Sequence, residues 1–108
     1  MDGSFEIREF LEGRRSPFSD WFNRLDAVTA ERVDRYVRRL EAGNFGNTKP
    51  LRDGVFELRM DFGPGYRVYF GRERRTIIIL VGGGSKRGQA ADTAIAVERW
   101  RRYQQLRT

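Results

Sequence analysis

A chain of 108 residues, 39% apolar and 13% aromatic, suits one folded domain with a modest core, spanning residues 1–108. It has no cysteine and no histidine. That excludes disulfides, thiolate or imidazole metal sites and every Ser-His or Cys-His nucleophile pair, and fits a reducing cytoplasm. Lys and Arg number 21 against 15 Asp and Glu, a net charge of +6 that favours a polyanionic or acidic partner.

Phe5 to about Leu11 alternates apolar and charged residues and predicts a first strand. Ser16-Pro17 reads as a helix start, with serine as the N-cap and proline in the first turn. Phe18, Trp21, Phe22 and Leu25 follow at helical spacing, and core burial explains them better than base stacking. A second helix is expected around Thr29, with Val33, Val37 and Leu40 inward, Arg32, Arg35 and Arg39 outward, and Gly43 at its end. The short link between the two predicts an antiparallel helical hairpin. Gly46 to Pro50 reads as a loop.

Leu51 to Phe70 (LRDGVFELRMDFGPGYRVYF) reads as a β-hairpin. Phe56, Leu58, Met60 and Phe62 share one face, opposite Glu57, Arg59 and Asp61; after Gly63-Pro64-Gly65, Tyr66, Val68 and Phe70 alternate with Arg67 and Tyr69. A three-residue loop would pair Phe62 with Tyr66, Met60 with Val68, Asp61 with Arg67, and Arg59 with Tyr69. Thr76 to Val81 predicts a strand buried on both faces. Gly82-Gly83-Gly84-Ser85 is expected to break it, either as a flexible hinge or as glycines packed against a helix, before Lys86-Arg87. The order Ser85-Lys86-Arg87 does not meet the GxxxxGK[ST] requirement of a phosphate loop. Gln89 to Leu106 predicts a last helix, with Ala91, Ile95 and Trp100 inward and Arg99, Arg101 and Arg102 outward. Together these give an α+β domain with a small, mainly antiparallel sheet, an N-terminal helical hairpin and a C-terminal helix.

No apolar run approaches the roughly 18 residues of a membrane span, and the charged start does not read as a signal peptide. No membrane partner, cofactor or metal is therefore expected, and any catalysis must rest on Lys, Arg, Tyr or carboxylates. The polar hairpin face with Arg59, Asp61, Arg67 and Tyr69 is either a solvated charge ladder or a site. The basic helix face with Arg35 and Arg39 is either solvated or a phosphate contact. If the strands are neighbours, Lys49, Arg59, Arg67, Lys86 and Arg87 converge on one side of the sheet, an arrangement able to stabilise a phosphate undergoing displacement without metal.

ELRMDFGPGYRVYF, followed by an apolar strand, a glycine-rich turn and Lys86, resembles the RelE/ParE superfamily of toxin–antitoxin toxins. It is most similar to the HigB-like addiction-module killer proteins, over nearly the whole chain. The resemblance implies a ribosome-dependent endoribonuclease that cuts mRNA, with the ribose 2′-hydroxyl attacking its own phosphate. By motif it matches Arg59 (Leu-Arg) to a phosphate-stabilising arginine, Arg67 (Gly-Tyr-Arg) to a second basic residue of the catalytic site, and Lys86-Arg87 to the basic pair after the last strand. Lys49, Arg52 and Arg87, with Arg35 and Arg39, are the expected RNA contacts. Relatives place a tyrosine or histidine in the final segment for proton transfer, where this chain has Thr93, so Lys49, Lys86 or Tyr69 would take that role. The implied partners are mRNA, the ribosome and a cognate helix-turn-helix antitoxin, with DNA reached only through the antitoxin complex. The rival readings are a ParE-like inhibitor of DNA gyrase and a basic binding module without catalysis.

Overall fold

The computed structural model describes residues 4–107. Its elements are β1 (Glu6–Glu9), α1 (Pro17–Phe22), α2 (Ala27–Glu41), β2 (Thr48–Pro50), β3 (Val55–Met60), β4 (Tyr66–Glu73), β5 (Ile77–Ser85), a 3-10 turn (Lys86–Gly88) and α3 (Gln89–Leu106). The strands form one mixed sheet in the order β1-β5-β4-β3-β2, with β1 parallel to β5 and the other neighbours antiparallel.

Local chemistry accounts for the helix starts. The Ser16 hydroxyl accepts from the Ser19 amide at 3.0 Å, and Pro17 occupies the first turn, where no N–H is needed. Asp26 caps α2 by accepting from the Thr29 amide at 3.1 Å and the Thr29 hydroxyl at 2.6 Å. Val33, Val37 and Leu40 then fall on the buried stripe as expected.

The sheet has a core on each face. Leu58, Met60, Val68, Phe70, Ile78 and Leu80 meet Phe18 of α1 and the inward residues of α2. On the other face, Val55, Tyr69, Ile79 and Val81 meet Ala96 and Trp100 of α3. No helix among the described residues is long and apolar enough to cross a membrane.

The structure corrects three local expectations. Thr48–Pro50 is an edge strand rather than a loop, and it pairs Lys49 with Glu57; proline fits there because an edge position does not require its N–H. Gly82–Gly84 do not break β5, which runs on to Ser85. Side chains at these positions would collide with neighbours: a Cβ on Gly83 would lie 2.2 Å from the Trp21 ring, and one on Gly84 would lie 2.1 Å from the Asp92 carboxylate. In the last helix Trp100 is buried as expected, but Ala96 is buried beside it, Arg99 is half-buried, and Ala91 and Ile95 are exposed.

Gly71 provides the clearest stability test. It sits between Val55 and Ile79 in the sheet, and a Cβ there would lie 2.4 Å from the ring of buried Trp100. Gly71→Ala is expected to cost about 1–3 kcal/mol through overpacking. Thermal unfolding should register roughly 4–8 °C for each kcal/mol. A midpoint equal to wild type would show that α3 can yield at this point.

Candidate functional site: a cationic sheet face under the last helix

The hairpin register differs from the expected one by two residues. Met60 pairs with Tyr66, Arg59 with Arg67, Leu58 with Val68, and Glu57 with Tyr69. The turn takes up Asp61 to Gly65, with Gly63 and Gly65 at φ 54° and 81°, values that glycine adopts without strain. Phe62 therefore leaves the ladder. It stacks on Tyr36 at 6.1 Å and lies under the Arg32 guanidinium, 4.0 Å from the ring centre.

This register changes the ion pairing. Asp61 sits exposed in the turn, where Asn47 approaches its carboxylate at 3.5 Å, and it does not pair with Arg67. Arg67 instead forms an ion pair with Glu57, their side chains only 4% and 1% exposed. Gln89 of α3 donates to the same carboxylate at 3.3 Å. Arg59 stands directly across from Arg67, is partly exposed and has no ion pair among the described residues. Two guanidiniums thus share one row of the sheet, and the buried carboxylate of Glu57 is committed to Arg67. Opposed like charges destabilise a ladder unless something neutralises them.

Beside this row, Tyr69 lies fully buried between Glu57 and Gly82 and beneath α3. Its hydroxyl faces Thr93 but completes no hydrogen bond, and burial raises its pKa, so it keeps its proton. Asp92 lies over Gly84 and Gly88. Burial holds its carboxyl above the usual aspartate range, against the opposing pull of Arg99. An aspartate whose folded pKa is raised stabilises the fold below its unfolded pKa, and that contribution is lost as pH rises through the folded value. Asp92→Asn should therefore melt above wild type at pH 7, with the difference vanishing near about pH 3. A constant difference across that range would remove Asp92 as the cause.

The remaining expected residues divide between the two faces. Lys49 is exposed on β2, Arg52 is exposed in the turn before β3, and Lys86 and Arg87 are exposed where β5 ends. The Lys86 amide donates to the Gly65 carbonyl at 2.7 Å, which ties that end to the hairpin turn. None of these four has an ion pair among the described residues. Arg35 and Arg39 do not join them, because α2 covers the opposite face. There Arg35 pairs with Glu31 at 3.5 Å, and Arg39 lies over the Tyr36 ring. Sequence reasoning missed Glu57, Asp92 and Arg99. Glu57 was visible on the polar face, but only the true register connects it to Arg67. Among the described residues no group of three acidic side chains converges as a metal site would require.

Two comparisons place the chain among known proteins. The family model described as phage derived protein Gp49-like (DUF891) matches residues 20–101, from α1 almost to the end of α3. A Haemophilus influenzae protein described as uncharacterized is 41% identical over 76 residues, which cover 69% of this chain and 77% of that one.

Proposed function

Because the chain belongs to the phage-derived Gp49-like family, we propose that it is the toxin of a toxin–antitoxin module and acts as a metal-independent endoribonuclease on mRNA. The observation that supports this most is the row of Arg59 and Arg67, with Lys49, Lys86 and Arg87 beside it and no ion pair for Arg59 among the described residues. Unneutralised cations on a firm sheet attract an anion, and a phosphate passing through a more highly charged transition state gains most from them. The resemblance to the RelE/ParE superfamily supports the same reading.

In this account Arg59 contacts the scissile phosphate, and Arg67 holds the row together from beneath. The 2′-hydroxyl oxygen attacks the adjacent phosphorus, the bond to the 5′-oxygen breaks, and a cyclic phosphate and a 5′-hydroxyl result. The exposed amines of Lys49 and Lys86 are the candidates for moving the proton from the 2′-oxygen to the leaving oxygen. Buried Tyr69 is withdrawn from that task while α3 is in place. The partners are mRNA in the ribosome and an antitoxin that neutralises the toxin.

Purified protein stripped with chelator before mixing should still cleave mRNA on ribosomes and leave cyclic phosphate ends. Intact mRNA, or cleavage that only added zinc or manganese restores, would overturn the reading. Inhibition of gyrase with intact transcripts would replace it with the topoisomerase alternative.

A further inference from the structure

β1 pairs with β5 only over Ile77–Leu80, and the Phe10 amide closes that pairing on the Leu80 carbonyl at 2.9 Å. Beyond Leu80, β5 continues beside β4 to Ser85 with no strand on its other side. Among the described residues, Gly82–Gly84 pair with β4 alone, and Ser85 caps the 3-10 turn that follows. The carbonyl of Val81 is met instead by the Arg99 guanidinium at 2.9 Å. A row of unpaired amides and carbonyls is a template for another strand.

This edge is the floor of a trough between α1 and α3. A cavity of 140 Å³ over Gly82 and Gly83 shares Pro17, Arg24 and Arg99 with a second cavity of 230 Å³ that reaches back to Glu12 and Arg15. Among the described residues the fully buried Tyr69 hydroxyl, which lines it, completes no hydrogen bond, and the buried Arg99 Nε has only the Glu12 carboxylate, at 3.8 Å and beyond hydrogen-bond reach. An acceptor in the trough would serve both. Arg24 adds an exposed cation with no ion pair among the described residues, and Lys86 and Arg87 stand at the far end of the strand. The acids here are mostly committed: Arg15 holds Asp20 at 3.0 Å, and Arg99 faces Glu12 at 3.8 Å. Ile95, 44% exposed, offers an apolar contact on the rim.

We propose that the trough receives an extended acidic segment of a partner protein, added as a strand to the free edge of β5 at Gly82–Ser85. Main-chain hydrogen bonds would supply affinity, and alternate side chains specificity. Carboxylates on the α3-facing side of the segment would meet Arg99 and Tyr69, while apolar residues on its α1-facing side reach Trp21, with Arg24 at that rim. A peptide suits the site better than RNA, because a strand edge presents alternating donors and acceptors that a sugar–phosphate chain does not match. That the partner is the antitoxin rests on the function proposed above; the docking geometry does not.

The test is an NMR titration of the isotope-labelled full chain at millimolar probe. The probes are the capped hexapeptide (Val-Glu)3, its (Val-Lys)3 counterpart and a six-nucleotide oligouridine. The acidic peptide should shift the Gly82–Gly84 amides saturably and slow their hydrogen exchange, and the lysine peptide should do neither. Arg24→Glu should weaken binding by about tenfold, and Asp92→Asn should strengthen it, because a competing carboxylate is removed. Three results would overturn the proposal: no change at Gly82–Gly84, equal shifts with the lysine peptide, or stronger shifts there with oligouridine. Loss of this site would leave mRNA cleavage untouched, so the two readings fail separately.

Discussion

Arg67→Ala is expected to unfold a large share of the molecule under conditions where wild type is folded. The substitution leaves Glu57, 1% exposed, without its ion-pair partner and with the Gln89 amide as its hydrogen-bond donor. Removing one member of a buried ion pair typically costs about 3–5 kcal/mol, much of a small domain's whole stability. The midpoint should fall by roughly 12 °C or more. The double change Glu57→Gln with Arg67→Met, which removes both charges and keeps volume, should recover most of the loss. Wild-type stability in Arg67→Ala would show that the pair is not buried as described. The register makes Arg67 a positioning residue, whose loss of activity proves nothing about chemistry unless folding is measured alongside.

Arg59→Ala should do the opposite. Arg59 is partly exposed, has no ion pair among the described residues and opposes another arginine, so its removal relieves repulsion and should leave the melting midpoint unchanged or slightly higher. Cleavage should nevertheless fall about 100- to 1000-fold, the usual loss when one donor to a developing oxyanion is deleted. Arg59→Lys should recover only part, because an ammonium cannot reproduce the two-pronged guanidinium contact. Full activity in Arg59→Ala at matched expression would remove this residue from the mechanism.

Much of this fold is written in local patterns. Ser16-Pro17 and Asp26 announce their helices through capping chemistry, and Val33, Val37 and Leu40 repeat at helical spacing, so nothing distant is needed to read them. The alternation through β3 and β4 placed each side chain on its correct face. Register was another matter. Shifting the hairpin by two residues preserves both faces, so the hydrophobic pattern cannot choose between registers. The choice falls to a five-residue turn in which Phe62 leaves the ladder to stack on Tyr36, a contact with a helix about 26 residues earlier in the chain. The same distance problem hid the parallel pairing of β1 and the three-residue β2, whose length is too short for any period.

The candidate site was legible in its cations and illegible in its cover. Lys49, Arg59, Lys86 and Arg87 were picked from the pattern and lie on or beside one face. What the pattern could not show is that α3 rests on that polar face, which gives the helix an inward side of mixed character: Asp92, Thr93, Ala96, Arg99, Trp100. A helix packed on a purely apolar face would have shown a clean stripe; this one buries Arg99 and leaves Ile95 exposed, so its inward side was misread at both positions. Arg35 and Arg39 illustrate the converse, a basic face real in the sequence and on the wrong side of the sheet.

Whether the row headed by Arg59 cuts mRNA is decided by mapping transcript ends after a brief pulse of expression, comparing wild type with Arg59→Ala at equal protein level. New ends within coding regions, abundant with wild type and reduced by about two orders of magnitude in the variant, are the expected result. Transcript ends identical to those of an empty vector during wild-type growth arrest would contradict cleavage by that row.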